Sequence, residues 1–142
     1  MIYLLSYMKN SVLQNELTQL MGDKCSLSES VRYNYSRGED VFDPIVPDAV
    51  LFPETNEEVS TIVKICNNHK TPIVPFGTGT SLEGSAVGIK NGVTISLEKM
   101  DKILSVNEED FDCRVQAYVT REQLNEYLKD KGVFFPIDPG AN

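Results

Sequence analysis

An apolar run, Pro72-Ile73-Val74, opens directly into Pro75-Phe76-Gly77-Thr78-Gly79-Thr80-Ser81-Leu82-Glu83-Gly84. The run reads as a buried strand. Three glycines and three hydroxyl residues then fall within the eight positions from Gly77 to Gly84. Such a segment cannot fill a core. A helix cannot easily follow it, because Gly84, Gly88 and Gly92 interrupt the next turns. The chain must pass from one strand through an irregular connection to another, Val93-Thr94-Ile95-Ser96-Leu97. Glycines allow positive φ and close approach of a ligand. Successive amides in such a turn form a concave anion site, and Thr78, Thr80 and Ser81 add donors. The expected guest is a phosphate or pyrophosphate.

Two familiar phosphate loops do not fit. Gly79 to Gly84 has the glycine spacing of a Walker A loop, and Ser85 follows, but the lysine is missing and Glu83 would repel phosphate. Gly77-Thr78-Gly79 begins like a dinucleotide fingerprint, but Leu82 stands where the third glycine belongs and no helix opens there.

The flanking segments supply a frame. Ala49-Val50-Leu51-Phe52 reads as a short buried strand between Pro47 and Pro53. Thr55-Asn56-Glu57-Glu58 is a capping box, and Val59, Ile62, Val63 and Cys66 follow at helical spacing. His69 and Lys70 end that helix and Pro72 follows. Strand, helix and strand make a βαβ unit that delivers the glycine loop at a carboxyl end, where α/β ligand sites form. Further on, residues 103–106 and 113–119 read as an antiparallel hairpin, with Cys113, Val115, Ala117 and Val119 on its buried face. Thr120-Arg121-Glu122-Gln123 is another capping box, for a helix expected to close at Gly132.

With these segments in order, Pro75 to Leu82 resembles the pyrophosphate loop of FAD-binding oxidoreductases of the vanillyl-alcohol oxidase and p-cresol methylhydroxylase type. The resemblance is strongest to the D-lactate dehydrogenase and glycolate oxidase D-subunit branch. Pro47 to Pro53 looks like the first strand of that family, residues 55–69 like its first helix, and residues 135–140 like the start of a second flavin-contacting loop. The resemblance implies an α+β fold, the N-terminal part of a PCMH-type FAD-binding domain. It implies non-covalent FAD, held by Pro75, Phe76, Gly77, Thr78, Gly79, Thr80 and Ser81, with Asp138, Pro139 and Gly140 beside it. It further implies hydride removal from a small D-2-hydroxy acid, D-lactate or glycolate, giving the 2-oxo acid. No catalytic residue and no metal ligand carries over to this chain. A sugar or aldonolactone oxidoreductase of the same fold, and a non-catalytic nucleotide-binding remnant, stand as alternatives.

Complete members of that family are several times longer than these 142 residues. The chain therefore reads as a fragment, inactive alone and completed in one form by a second chain. It divides into residues 1–44, a helix at 12–21 with an extended lead-in, and residues 45–142, the partial FAD-binding domain. The helix is expected from the capping pattern at Ser11, with Leu13, Leu17 and Leu20 on its covering face, and residues 22–43 are expected to be a loop-rich connection.

Composition narrows the remaining choices. Net charge is −8, which argues against nucleic acid, whose affinity comes largely from Lys and Arg. Between residues 70 and 92 the charges are Lys70, Glu83 and Lys90, so the loop is spared the overall acidity. The first residues are apolar but too short to span a membrane and lack the marks of a signal peptide. The expected location is cytoplasmic, peripheral to a membrane only through a partner. Cys25, Cys66 and Cys113 lack metal-site spacing and read as reduced thiols, Cys66 and Cys113 in the core. His69 reads as a solvated or dipole-compensating helix end.

Overall fold

The computed structural model describes residues 2–137, with side chains from residue 11 onward. In chain order the elements are α1 (Ile2–Met21), β1 (Cys25–Ser26), α2 (Glu29–Asn34), β2 (Ala49–Leu51) and α3 (Asn56–His69). Then come β3 (Ile73–Phe76), β4 (Val93–Ser96), β5 (Ile103–Asn107), β6 (Asp112–Val115) and α4 (Arg121–Leu128).

Four strands form a mixed sheet in the order β1-β2-β4-β3. β2, β4 and β3 run parallel, with Ala49 and Ile73 both opposite Val93, while β1 is antiparallel to β2. The helical crossover α3 thus skips one place, and the chain returning through the glycine loop fills it with β4. All three parallel strands end at the same edge, so the loops after Leu51, Phe76 and Ser96 meet there. β3 bonds to β4 alone, and Pro75, which has no amide hydrogen, is tolerated on that edge strand.

One sheet face carries the helices. Leu13, Leu17 and Met21 of α1 pack with Ile62, Ile65 and Cys66 of α3 on Ala49, Leu51, Val93 and Ile95. By strand alternation Val50, Val74 and Thr94 point to the other face, and they are buried as well. Phe76 shares that face with Val74, and its ring meets Tyr35 edge-on at 4.9 Å. The irregular chain after α2 therefore lies on the side away from the helices.

α3 forms as its sequence dictates. The Thr55 hydroxyl accepts the Glu58 amide at 3.1 Å, and Lys70 closes the helix in the left-handed region. The Glu58 carboxylate accepts the Glu54 amide at 2.7 Å and the Lys24 ammonium at 2.6 Å. These two bonds hold the Glu58 carboxyl below its usual value of 4.5. A depressed folded-state value means that stability is fully present above the unfolded value and is lost as pH falls through the folded one. Unfolding monitored by circular dichroism from pH 6 downward should therefore show a loss beginning near pH 4.5 that Glu58→Gln reduces. Parallel profiles for parent and variant would remove Glu58 from the acid response.

Several expectations change. α1 starts at Ile2, so Ser11 lies inside the helix and does not cap it. The residues from Ile2 to Asn10 include good helix formers and no Gly or Pro, so nothing interrupts the helix before Ser11. Met21 takes the covering place expected of Leu20, which is 44% exposed, and Ile65 takes that of Val63. Residues 22–43 are not loop alone: a 3-10 turn (Gly22–Lys24), β1 and α2 lie there. The regular strand is Asp112–Val115 rather than the expected 113–119, although the Gln116 and Tyr118 amides still donate to Lys102 O and Met100 O, each at 2.9 Å, in the same register. β6 pairs only with β5 in a separate two-stranded sheet, and Cys113 is exposed, not core. α4 is capped by Thr120 as expected, at 3.1 Å to the Gln123 amide, but its last helical residue is Leu128 rather than one beside Gly132.

Cys66 is buried, as expected, and burial pushes its thiol up to about 11. His69 ends α3 and sits 2.8 Å from the Glu16 carboxylate of α1.

Candidate nucleotide-binding site

The site is the carboxyl edge of β3 and β4 together with the chain that follows α2. Phe76, buried, is the last residue of β3. Gly77 and Thr78 emerge into solvent; Gly79, Thr80 and Ser81 are half-buried. Gly79 has φ +76°, which a side chain would strain. The Thr78 and Thr80 hydroxyls lie 3.1 Å apart, and the Ser81 hydroxyl accepts the Glu83 amide at 3.4 Å. Among the described residues the amides from Gly77 to Leu82 meet no acceptor within the chain. A Cβ on Gly77 would touch nothing within 4 Å, so open space faces the loop there.

A cleft of about 420 Å³ runs beside the loop. Phe76 to Gly79 form one wall, Tyr35 and Arg37 to Glu39 another, and Glu98 and Tyr118 line the floor. Tyr35 is the pivot. Its ring packs edge-on against Phe52 and Phe76, at 5.6 and 4.9 Å, and its hydroxyl donates to Glu98 Oε2 at 2.6 Å. Burial, with the Glu98 carboxylate, pushes that phenol up to about 12, so it stays a donor. Arg37 brings one cation to the cleft, against the carboxylates of Glu39 and Glu98. Electrostatic attraction for an anion therefore comes from backbone dipoles and hydroxyls.

The donor set fits a pyrophosphate. Free amides, two paired hydroxyls and an uncovered Gly77 stand at the carboxyl end of parallel strands, where such ligands collect. Among the described residues, no group of three His, Cys, Asp or Glu side chains could hold a metal ion. No His or Cys lines the cleft.

Pro75 and Phe76 end β3, and Gly77 to Ser81 follow as the loop; of these, Phe76 to Gly79 line the cleft, and Thr80 and Ser81 do not. Pro75 is exposed on the strand edge, apart from the cleft. Asp138, Pro139 and Gly140 lie outside the described residues. Sequence reasoning missed Tyr35, Gly38, Glu39 and Glu98. The aromatic and glycine cluster Tyr33-Asn34-Tyr35-Ser36-Arg37-Gly38 was the available signal, but it carries no periodicity to say where it folds. A Cβ on Gly79 would lie 2.8 Å from the Phe76 ring, so Gly79 serves the fold as well.

Residues 47–142 match the family described as FAD binding domain. A protein of Danio rerio named "Probable D-lactate dehydrogenase, mitochondrial" is 47% identical over 117 residues, covering 82% of this chain and 24% of the relative. Glycolate oxidase subunit GlcD of Bacillus subtilis is 36% identical over 96 residues, 68% of this chain and 20% of the relative. The crystal structure of p-cresol methylhydroxylase with substrate bound superposes with a TM-score of 0.75 at 28% identity, over 87% of this chain and 25% of that one. The chain thus spans about a quarter of the length of the relatives it matches. Among the described residues no helix is long and apolar enough to cross a membrane. From residue 47 onward this chain belongs to the FAD-binding domain family of flavin-dependent oxidoreductases, and its fold is the N-terminal part of the PCMH-type domain.

Proposed function

We propose that the chain supplies the pyrophosphate-binding part of an FAD-dependent oxidoreductase acting on a small D-2-hydroxy acid, D-lactate or glycolate. The observation that carries the reading is the run of acceptor-free amides from Gly77 to Leu82 beside the Thr78 and Thr80 hydroxyls. The D-lactate dehydrogenase and glycolate oxidase relatives favour the hydroxy-acid class. Pro75 and Phe76 end the strand that carries the loop; Gly77, Thr78, Gly79, Thr80 and Ser81 hold the phosphates. Asp138, Pro139 and Gly140, outside the described residues, would contact the cofactor beside the pyrophosphate. FAD would accept the hydride from the substrate α-carbon. The protein supplies binding and orientation, which is the usual division of labour in flavin enzymes.

In this reading the 142 residues bind FAD but do not turn substrate over. No histidine or lysine side chain lines the cleft to take the hydroxyl proton, and its one cation, Arg37, shares it with the carboxylates of Glu39 and Glu98. The groups that take the proton and hold the substrate carboxylate come from the rest of the enzyme, on the same chain or a second one. Fluorescence titration with FAD tests the first half: saturable quenching is expected, and its absence would contradict the reading. D-lactate and glycolate offered with FAD and an acceptor dye test the second half, where turnover above a protein-free control is the contrary result.

The flavin is held non-covalently in this reading. A tether needs a nucleophilic nitrogen or thiolate; Gly77 to Gly88 contains neither His nor Cys, and its Thr and Ser hydroxyls are weak nucleophiles without an adjacent base. After acid precipitation of the flavin-loaded protein the yellow colour should remain in the supernatant. Colour in the washed pellet would establish a covalent link.

A further inference from the structure

The glycines of the loop fall into two groups. Gly77 faces open space, but Gly84 and Gly88 are pressed against one stretch of chain, residues 36–45, and a Cβ on Gly79, which would meet Phe76 first, would lie 3.7 Å from Gly38 Cα in the same stretch. A Cβ on Gly38 would lie 2.2 Å from the Gly79 carbonyl oxygen. A Cβ on Gly84 would lie 2.6 Å from the Phe42 ring, and one on Gly88 would lie 1.8 Å from Ile45 O. Hydrogen bonds run along the same seam. The Glu39 amide donates to Gly79 O at 2.8 Å, and Ser36 O accepts both the Gly88 amide at 2.9 Å and the Ile45 amide at 3.2 Å. The stretch is itself folded by the buried Asp40, whose carboxylate accepts the Gly38 amide at 3.1 Å and the Phe42 amide at 3.0 Å.

We propose that residues 36–45 form a strap that sets the shape of the phosphate-binding loop, with Gly38 and Asp40 as positioning residues. The strap precedes residue 47, where the family match begins. The inference rests on reading Gly77 to Ser81 as the phosphate cradle. The geometry supplies the mechanism. A trans peptide is planar, with its C=O and N–H opposed. Glu39 fixes the Gly79 carbonyl toward the strap, so the Thr80 amide in the same plane points away from it. That amide has no acceptor among the described residues and is left for a ligand. Gly38 permits the approach, since any side chain there would meet backbone rather than a flexible neighbour. Tyr35, one residue before the strap, steadies Phe76 at the root of the loop.

The test compares the full chain with Gly38→Ala, Asp40→Asn and a control, Gly132→Ala. Gly38 has no positive φ, so its alanine substitution adds the clash at the seam without left-handed strain. Gly132, at φ +73° with no neighbour within 4 Å, adds that strain without touching the seam, so it shows whether destabilisation elsewhere moves the readouts. Two readouts are taken on folded protein, with thermal midpoints recorded beside them: NMR amide order parameters from Gly77 to Ser81 without ligand, and FAD affinity. In Gly38→Ala the order parameters should fall from about 0.85 to below about 0.6, and FAD should bind at least tenfold more weakly. Asp40→Asn keeps the side-chain shape and should show the same changes at a few-fold level. Gly132→Ala should leave both readouts as in the parent, whatever its midpoint. Parent-like order parameters and affinity in a folded Gly38→Ala would overturn the strap. If that variant gives no dispersed spectrum, Asp40→Asn decides by the same measurements. A parent chain without FAD affinity would contradict the FAD reading alone, and the order parameters would still decide the strap.

Discussion

Gly77→Val should abolish most FAD affinity while leaving the fold nearly untouched. Nothing lies within 4 Å of where its Cβ would go, and Gly77 is not among the glycines with positive φ. Surface substitutions of this kind usually change stability by no more than about 0.5 kcal/mol. The added side chain would instead occupy the open space in front of the loop amides. Hydrogen bonds to charged groups contribute about 1.5–3 kcal/mol each. Losing two of them to a pyrophosphate corresponds to roughly a hundredfold or more in affinity. Gly79→Val makes the contrast. Its φ of +76° and the Phe76 ring at 2.8 Å should cost about 2–4 kcal/mol of stability, from left-handed strain plus overpacking. Fluorescence titration and urea unfolding on both variants separate the two effects. A Gly77→Val protein that binds FAD like the parent would remove this loop from the site.

Leu17→Ala should be among the most damaging single changes to stability. Leu17 is fully buried on α1, in one cluster with Ile62, Cys66, Leu51 and Ile95. Truncating such a leucine leaves a cavity and typically costs about 3–5 kcal/mol. Domains of this size have about 5–15 kcal/mol in total, so the urea midpoint should fall by a large fraction. Val12→Ala, on the exposed side of the same helix, should change it by about 0.5 kcal/mol or less. The comparison asks whether α1 belongs to the core of the FAD-binding unit or merely leads into it. A loss below about 1 kcal/mol for Leu17→Ala would show that the helix detaches without consequence.

Local chemistry made much of this protein legible from its residues. Thr55 and Thr120 cap their helices as the sequence patterns require, because a cap depends only on residues three positions apart. The short strands at Ala49, Ile73 and Val93 declare themselves by apolar runs between turn residues. The glycine loop follows from composition alone, since no other structure tolerates it between two strands.

Tertiary structure decided what lies between distant residues. The burial of Met21 and Ile65 over Leu20 and Val63 depends on how α1 and α3 meet on the sheet, and a helix pattern several apolar residues wide does not fix that rotation. Cys113 and Val115 alternate like core residues, yet β6 pairs only with β5 and stays exposed, because alternation reports a possible buried face and not whether anything covers it. β1, with two residues, exists only through its pairing with Cys25 opposite Leu51. Sequence alone gave one reason for the loop glycines, a ligand. The fold assigns Gly84 and Gly88 a second one, contact with residues 36–45 some forty positions earlier, and such a contact leaves no trace in local propensity or periodicity.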